Sequence, residues 1–219
     1  MIVFVILFWV SALLLVYTQV LYPAIVAVLA RTRRVAPRDG VQRRLPAVSI
    51  IIAAYAEEAV IGEKVANALA LNYPPELLQV IVCCDDSPDA TAEVARAAGA
   101  HKVIELPRGG KHRAQDAGVL QATGEIFAFS DANTHWQPDA LLRLIERFRD
   151  AHVGYVCGSV SFENEGGTNQ EGLYWRYEMW LRANESRLRS ITAGNGAIYA
   201  VRRQAYLTAD QLQGGHDLS

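Results

Sequence analysis

Short, nearly continuous apolar runs, separated by stretches of helical periodicity, constrain this chain more than any other feature. VSIIIA (residues 48–53), QVIVCC (79–84) and IFAFS (126–130) lack the in–out alternation of a half-exposed strand and read as strands covered on both faces. KVIEL (102–106) is a further strand, and residues 153–162 contain a fifth. Between them, helical spacing runs over 57–71, 89–98, 111–122 and 138–148, the last amphipathic and opened by Pro138. Strands alternating with helices imply β-α-β units, a mostly parallel sheet with right-handed crossovers, and helices on both faces. Past residue 165 the rhythm changes to a polar, aromatic-rich helix (171–190), a turn at Gly194 and Gly196, and a strand (197–201).

Residues 1–30 carry no charged side chain, and residues 31–47 hold six arginines against Asp39. A bilayer span takes about 20 apolar residues, and a bilayer helix tolerates a proline such as Pro23. A cleaved signal peptide carries basic residues ahead of a short apolar core; here the first basic residue is Arg31. The expected organisation is therefore a transmembrane anchor (1–30), a basic juxtamembrane linker against lipid headgroups (31–47) and a folded domain (48–219). By the positive-inside rule the chain is single-pass in the inner (plasma) membrane with that domain in the cytoplasm.

Beyond residue 47 there are 15 basic and 22 acidic side chains, a balance that argues against a general nucleic-acid partner. Cys83, Cys84 and Cys157 show no metal spacing and read as reduced, small core side chains.

Ligands of open parallel sheets bind beyond the carboxyl ends of the strands. In this chain the segments just past the strand ends are Ala54-Tyr55-Ala56-Glu57-Glu58, Asp85-Asp86-Ser87-Pro88-Asp89, Arg108-Gly109-Gly110-Lys111 and Asp131-Ala132-Asn133. No core-packing argument requires that clustering. Asp85 can accept from a base edge or a ribose, or serve as a turn or cap residue. The Gly109-Gly110-Lys111 stretch can bring backbone N–H groups and one ammonium to a phosphate, although it is not a Walker loop. Asp131 and Asn133, read on one side of an extended segment, offer two hard oxygens to Mg²⁺ or Mn²⁺. His216-Asp217 reads as a surface turn or as a general base.

Taken together, these blocks resemble family 2 glycosyltransferases. VSIIIAAYAEE is similar to V-S-I-I-I-P-A-Y-N-E-E, DDSPDAT to D-G-S-T-D-G-T, and RGGKHRAQDAG to G-G-K-x-x-A-x-N-x-G. FSDANTHWQPDAL resembles the D-x-D block, GNGAIYAVRR the acceptor-side turn and strand, and GGHDLS the block bearing the catalytic aspartate. The resemblance implies a GT-A fold and inverting transfer from a nucleotide-diphospho-sugar, a UDP-sugar, to a saccharide or lipid-linked acceptor. It assigns the donor nucleotide to Ala53, Tyr55, Glu57, Asp85, Lys111 and Asp131, the divalent ion to Asp131 and Asn133, and the catalytic base to Asp217. Ala53, Ala56, Asp116 and Asn133 depart from the usual Pro, Asn, Asn and second carboxylate. The chain ends before the acceptor-site helix and Q-x-x-R-W-type motif with which the family usually continues, so the domain reads as C-terminally incomplete. Two alternatives stand beside this reading: a non-catalytic nucleotide-sugar or partner-binding protein, and a sugar nucleotidyltransferase, which lacks support because no G-x-G-x-R loop succeeds the first strand.

Overall fold

A computed structural model describes residues 2–32, 44–159, 169–188 and 196–208. They fall into two compact units, Met1–Pro37 with Ser161–Ala193, and Arg38–Val160 with Gly194–Ser219.

The second unit is built on a six-stranded sheet of β1 (Val48–Ala54), β2 (Leu78–Asp85), β3 (Lys102–Leu106), β4 (Ile126–Asp131), β5 (Tyr155–Cys157) and β6 (Ile198–Arg202), ordered β3-β2-β1-β4-β6-β5. The first four run parallel, and β6 is antiparallel to both β4 and β5. Helices α3 (Glu58–Leu69), α4 (Thr91–Ala97), α5 (Lys111–Gln121) and α6 (Ala140–Arg147) cover it. This is the expected α/β layout.

The parallel strands are apolar throughout because both faces are packed. Ile50, Ile52, Val80 and Val82 meet Ile61 and Val65 of α3, Ala95 of α4 and Leu141 of α6. Ile51, Ile81, Cys83, Phe127 and Phe129 turn the other way, toward Ala114 of α5. The helix α5 lies very close to the sheet: a Cβ on Gly118 would stand 2.6 Å from Ile51 Cγ2 and 2.8 Å from Cys83 Sγ. Cys83 and Cys84 are buried core residues, and burial pushes their thiols up to about 12 and about 11. The strand order reverses beside β1: the chain steps outward to β2 and β3, then returns to lay β4 on the other side. The crevice of such a sheet opens at that switch point, where Ala53 pairs with Asp131.

In the first unit, α1 (Ile2–Val16) and α2 (Tyr22–Thr32) form one apolar helix with a π turn at Tyr17–Leu21. Pro23 explains the turn. It has no N–H to offer the carbonyl four residues back, and its ring crowds that carbonyl. The carbonyl is that of Gln19, and it accepts instead from the Tyr177 hydroxyl at 3.0 Å, on α7 (Asn169–Leu188). A second tie runs from the Tyr22 hydroxyl to Glu185 at 2.7 Å. Helix α7 packs along α2, so Tyr177 serves packing and hydrogen bonding, the role expected of aromatics at helical spacing. The 31 residues Ile2–Thr32 are long and apolar enough to cross a membrane.

Candidate functional site

The loops after β1 and β2 are laced together by side chains capping backbone amides. The amides of Ala56, Glu57 and Glu58 donate to Ser87 Oγ (3.3 Å), Thr91 Oγ1 (2.9 Å) and Asp89 Oδ2 (3.1 Å). In return, the Ala90 amide donates to Glu58 Oε2 at 3.1 Å. Asp89 thus accepts the first amide of α3 and also that of α4, from Thr91. Glu57 takes part through its backbone as the N-cap of α3. Among the described residues, Ala56 (φ 54°) and Asp86 (φ 57°) are the non-glycine residues held in the left-handed region. They stand where the resembling blocks have Asn and Gly, the two residues that reach that region most readily.

Asp85 ends β2 with only 5 % of its surface exposed. Its two carboxylate oxygens accept the amides of Gly109 (2.6 Å) and Gly110 (2.9 Å), and Arg108 Nε lies 3.6 Å away. This corrects one expectation: these two amides are not free to cradle a phosphate, because they are committed to Asp85. Gly110 adopts φ +87°, a conformation open to glycine, as it enters α5. The Arg108 guanidinium also lies 3.3 Å from the centroid of the Tyr55 ring, so Tyr55, Asp85 and Arg108 form one group.

Lys111, the first residue of α5, is ion-paired with Asp131 at the end of β4, both partly exposed. The strand stops at Asp131. Ala132 and Asn133 form a turn, with the Thr134 amide 3.4 Å from the Asp131 carbonyl. The alternation expected of an extended segment therefore does not relate Asp131 to Asn133. Asn133 is exposed and close in sequence, but its placement is set by the turn. A Cβ on Gly196, in the turn ahead of β6, would come 3.6 Å from Lys111 Nζ, so that turn reaches the same edge. Behind it, Phe129 stacks with Tyr199 and Tyr206, and the Tyr206 hydroxyl donates to Asp116 at 2.7 Å. That bond gives the Asp116 carboxylate a purpose at a position where the resembling block has Asn.

Asp85 and Asp131 flank β1 on opposite sides, about two strand spacings or roughly 10 Å apart. A cleft of about 450 Å³ beside the Asp85 end is lined by Asp86, Asp89, Glu93 and Glu105. Those carboxylates disfavour a diphosphate there, whereas the other side carries the Lys111 ammonium, paired with Asp131. Asp131 already attracts one cation in Lys111. A carboxylate of this kind is a hard oxygen donor, the type that suits Mg²⁺ or Mn²⁺ when further oxygens complete the shell. Among the described residues no group of three His, Cys, Asp or Glu side chains is placed to hold a metal ion without other ligands. His216 and Asp217 lie outside the described residues.

Sequence reasoning missed two contributors. Arg108 was visible only as part of a post-strand segment. Lys64 sits on the apolar stripe of α3 with Ile61, Val65 and Ala68, and a lysine in such a stripe is the signal that betrays it. It is buried, its Nζ donates to the Thr134 carbonyl at 2.7 Å, and burial lowers it to about 7, against a partial raising by Asp131.

Compared with known proteins, residues 49–208 match the family described as Glycosyl transferase family 2. The chain belongs to that family. Among curated relatives, it is 32 % identical over 208 residues to the beta-monoglucosyldiacylglycerol synthase of Nostoc sp., covering 90 % of this chain and 44 % of that protein. It is 29 % identical over 153 residues to an N-acetylglucosaminyltransferase of Rhizobium meliloti, covering 66 % of this chain and 35 % of the relative. The chain thus spans less than half the length of these relatives. Among solved structures, the mannosyltransferase PcManGT from Pyrobaculum calidifontis, in complex with GDP-Man and Mn²⁺, superposes with a TM-score of 0.71 at 26 % identity, over 84 % of this chain and 52 % of that one. The family 2 sheet, with its GT-A strand order, is therefore the frame on which the Asp85 and Asp131 ends are set.

Proposed function

We propose that this chain carries the donor site of an inverting glycosyltransferase that takes a sugar from a nucleotide-diphospho-sugar, a UDP-sugar. The observation that supports this best is the placement of Asp85 and the Lys111–Asp131 pair on either side of the β1 switch point. Asp85, with one lone pair on each oxygen still unused, accepts from the base. Tyr55 and the backbone of Ala53 and Glu57 border the same end. Lys111 leaves Asp131 for the diphosphate when the donor arrives. Asp131 and Asn133 would hold a divalent ion, which would supply charge neutralisation of the leaving group.

In the reaction, the acceptor hydroxyl oxygen forms a bond to the anomeric carbon as the bond to the diphosphate oxygen breaks. The configuration inverts, and the hydroxyl proton passes to a base, assigned to Asp217 from its resemblance to the catalytic-aspartate block. The apolar helix Ile2–Thr32 anchors the chain at the inner membrane face, within reach of a saccharide or lipid-linked acceptor. The name of the Nostoc relative, a beta-monoglucosyldiacylglycerol synthase, is in keeping with a lipid acceptor.

The test is calorimetry on the 219-residue chain in detergent micelles, titrating UDP and GDP with and without Mn²⁺. UDP binding strengthened by Mn²⁺ and lost in Asp85→Ala and Asp131→Ala is expected. Preference for GDP would replace the uridine assignment. Absence of binding by either nucleotide to the folded chain would overturn the donor site, and binding without sugar transfer would favour a non-catalytic role.

A further inference from the structure

We propose that Lys64 is a positioning residue for the Asp131–Asn133 turn: with Asn67 it pins Thr134, His135 and Trp136 to α3 and so fixes the segment from which Asp131 and Asn133 project. The inference rests on reading Asp131 as the carboxylate on the metal side of the donor site.

Lys64 is 4 % exposed, and lysine is almost never buried to that degree without a dedicated partner. Its Nζ donates to the Thr134 carbonyl at 2.7 Å and lies 4.8 Å from the centroid of the Trp136 ring. Three residues further along α3, Asn67 engages Trp136 in both directions. The Trp136 amide donates to Asn67 Oδ1 at 2.9 Å, and Asn67 Nδ2 donates to the Trp136 carbonyl at 2.9 Å. Asn67 Nδ2 also lies 3.1 Å from His135 Nε2. Trp136 is itself sealed in the core. The turn is therefore bracketed, with Asp131 held by β1 on one side and Thr134, His135 and Trp136 held by α3 on the other.

Energetics argue that this lysine is not there for packing. Removing an amino group from water for one carbonyl and one ring face is costly. A Met at the same place on the stripe would fill similar volume without that cost. What Lys64 adds is a donor long enough to reach the Thr134 carbonyl, and it donates whether protonated or neutral.

The test uses the 219-residue chain in detergent with Lys64→Met, Asn67→Ala and a control, Asp131→Asn. Amide exchange over residues 134–136 and UDP affinity with and without Mn²⁺ are measured. Both α3 variants are expected to speed exchange over 134–136 and to cut the Mn²⁺-dependent gain in UDP affinity about 10–100-fold, the usual effect of losing an outer-shell partner. The Mn²⁺-independent affinity should be unchanged. A full Mn²⁺ gain in both α3 variants, with the gain lost in Asp131→Asn, overturns the positioning role alone. A gain retained in Asp131→Asn overturns the reading of Asp131 beneath it. Equal loss of both affinities marks Lys64 as merely structural and also overturns the inference. Asn67→Ala keeps the test decisive if Lys64→Met fails to fold.

Discussion

At the scale of single residues, the site is a set of acceptors and donors already engaged with one another. Asp85 shows this best, since both its oxygens accept backbone amides. In Asp85→Asn an NH₂ group faces Gly109 or Gly110 where an acceptor is needed. We expect a loss of about 1–3 kcal/mol in denaturant unfolding, with faster amide exchange at those glycines. Ala56 is held at φ 54°, which costs a side-chain-bearing residue roughly 1–2 kcal/mol. Asn tolerates that region better, so Ala56→Asn should raise stability by about 0.5–1 kcal/mol and the melting temperature by about 1–4 °C.

Lys64 gives a pH signature. Its folded value of about 7 lies below the ordinary 10.5, so between those limits the unfolded chain holds more protons and stability rises with pH. Cys83 and Cys84 act oppositely. Their folded values of about 12 and about 11 lie above the ordinary 9.0, so stability falls as pH climbs from there. Thermal melts should therefore peak near pH 9, and Lys64→Met should flatten the limb between 7 and 9.

At the scale of elements, the helices are set by what lies beneath them. Helix α5 approaches so closely because Gly118 carries no Cβ. Gly118→Ala drives a methyl into Ile51 and Cys83, and should cost about 1–3 kcal/mol and displace Lys111 at the helix start, read as weaker nucleotide binding in the same titration. The strands were legible because a run such as VSIIIA has no polar face to expose. The end of β4 was less so. Alternation predicts that Asp131 and Asn133 share a side, but the chain turns at Ala132, and α3 holds the turn through Asn67, a residue more than sixty positions away. A local pattern carries no information about that clamp. Similarly, the sequence places Pro23 inside a long apolar helix, but only the packing of α7 shows that Tyr177 takes up the Gln19 carbonyl.

At the scale of the whole molecule, two properties decide function: where the sheet opens and what the amino-terminal helix meets. The helix α1 is apolar around its whole circumference, with no buried residue. If a bilayer covers it, Leu7→Arg with Leu14→Arg should cost roughly 2.5–3.5 kcal/mol per charge near the membrane centre. The variant should leave the membrane fraction on alkaline carbonate extraction, while wild type stays.

What the sequence by itself determined is the inventory: strand and helix periods, the uncharged helix succeeded by arginines, and polar residues gathered after each strand. These arise from local sterics and from the need to cover apolar surface, which act within a few residues. Tertiary structure alone decided the pairing. The strand order placed Asp131 beside Ala53 and put Asp85 on the far side of β1. It turned the Gly109 and Gly110 amides onto Asp85, laid Arg108 over Tyr55, and buried Lys64 behind the turn. Those choices depend on contacts between residues far apart in the chain, where the gain comes from satisfying buried polar groups across elements, and no window along the sequence contains both partners.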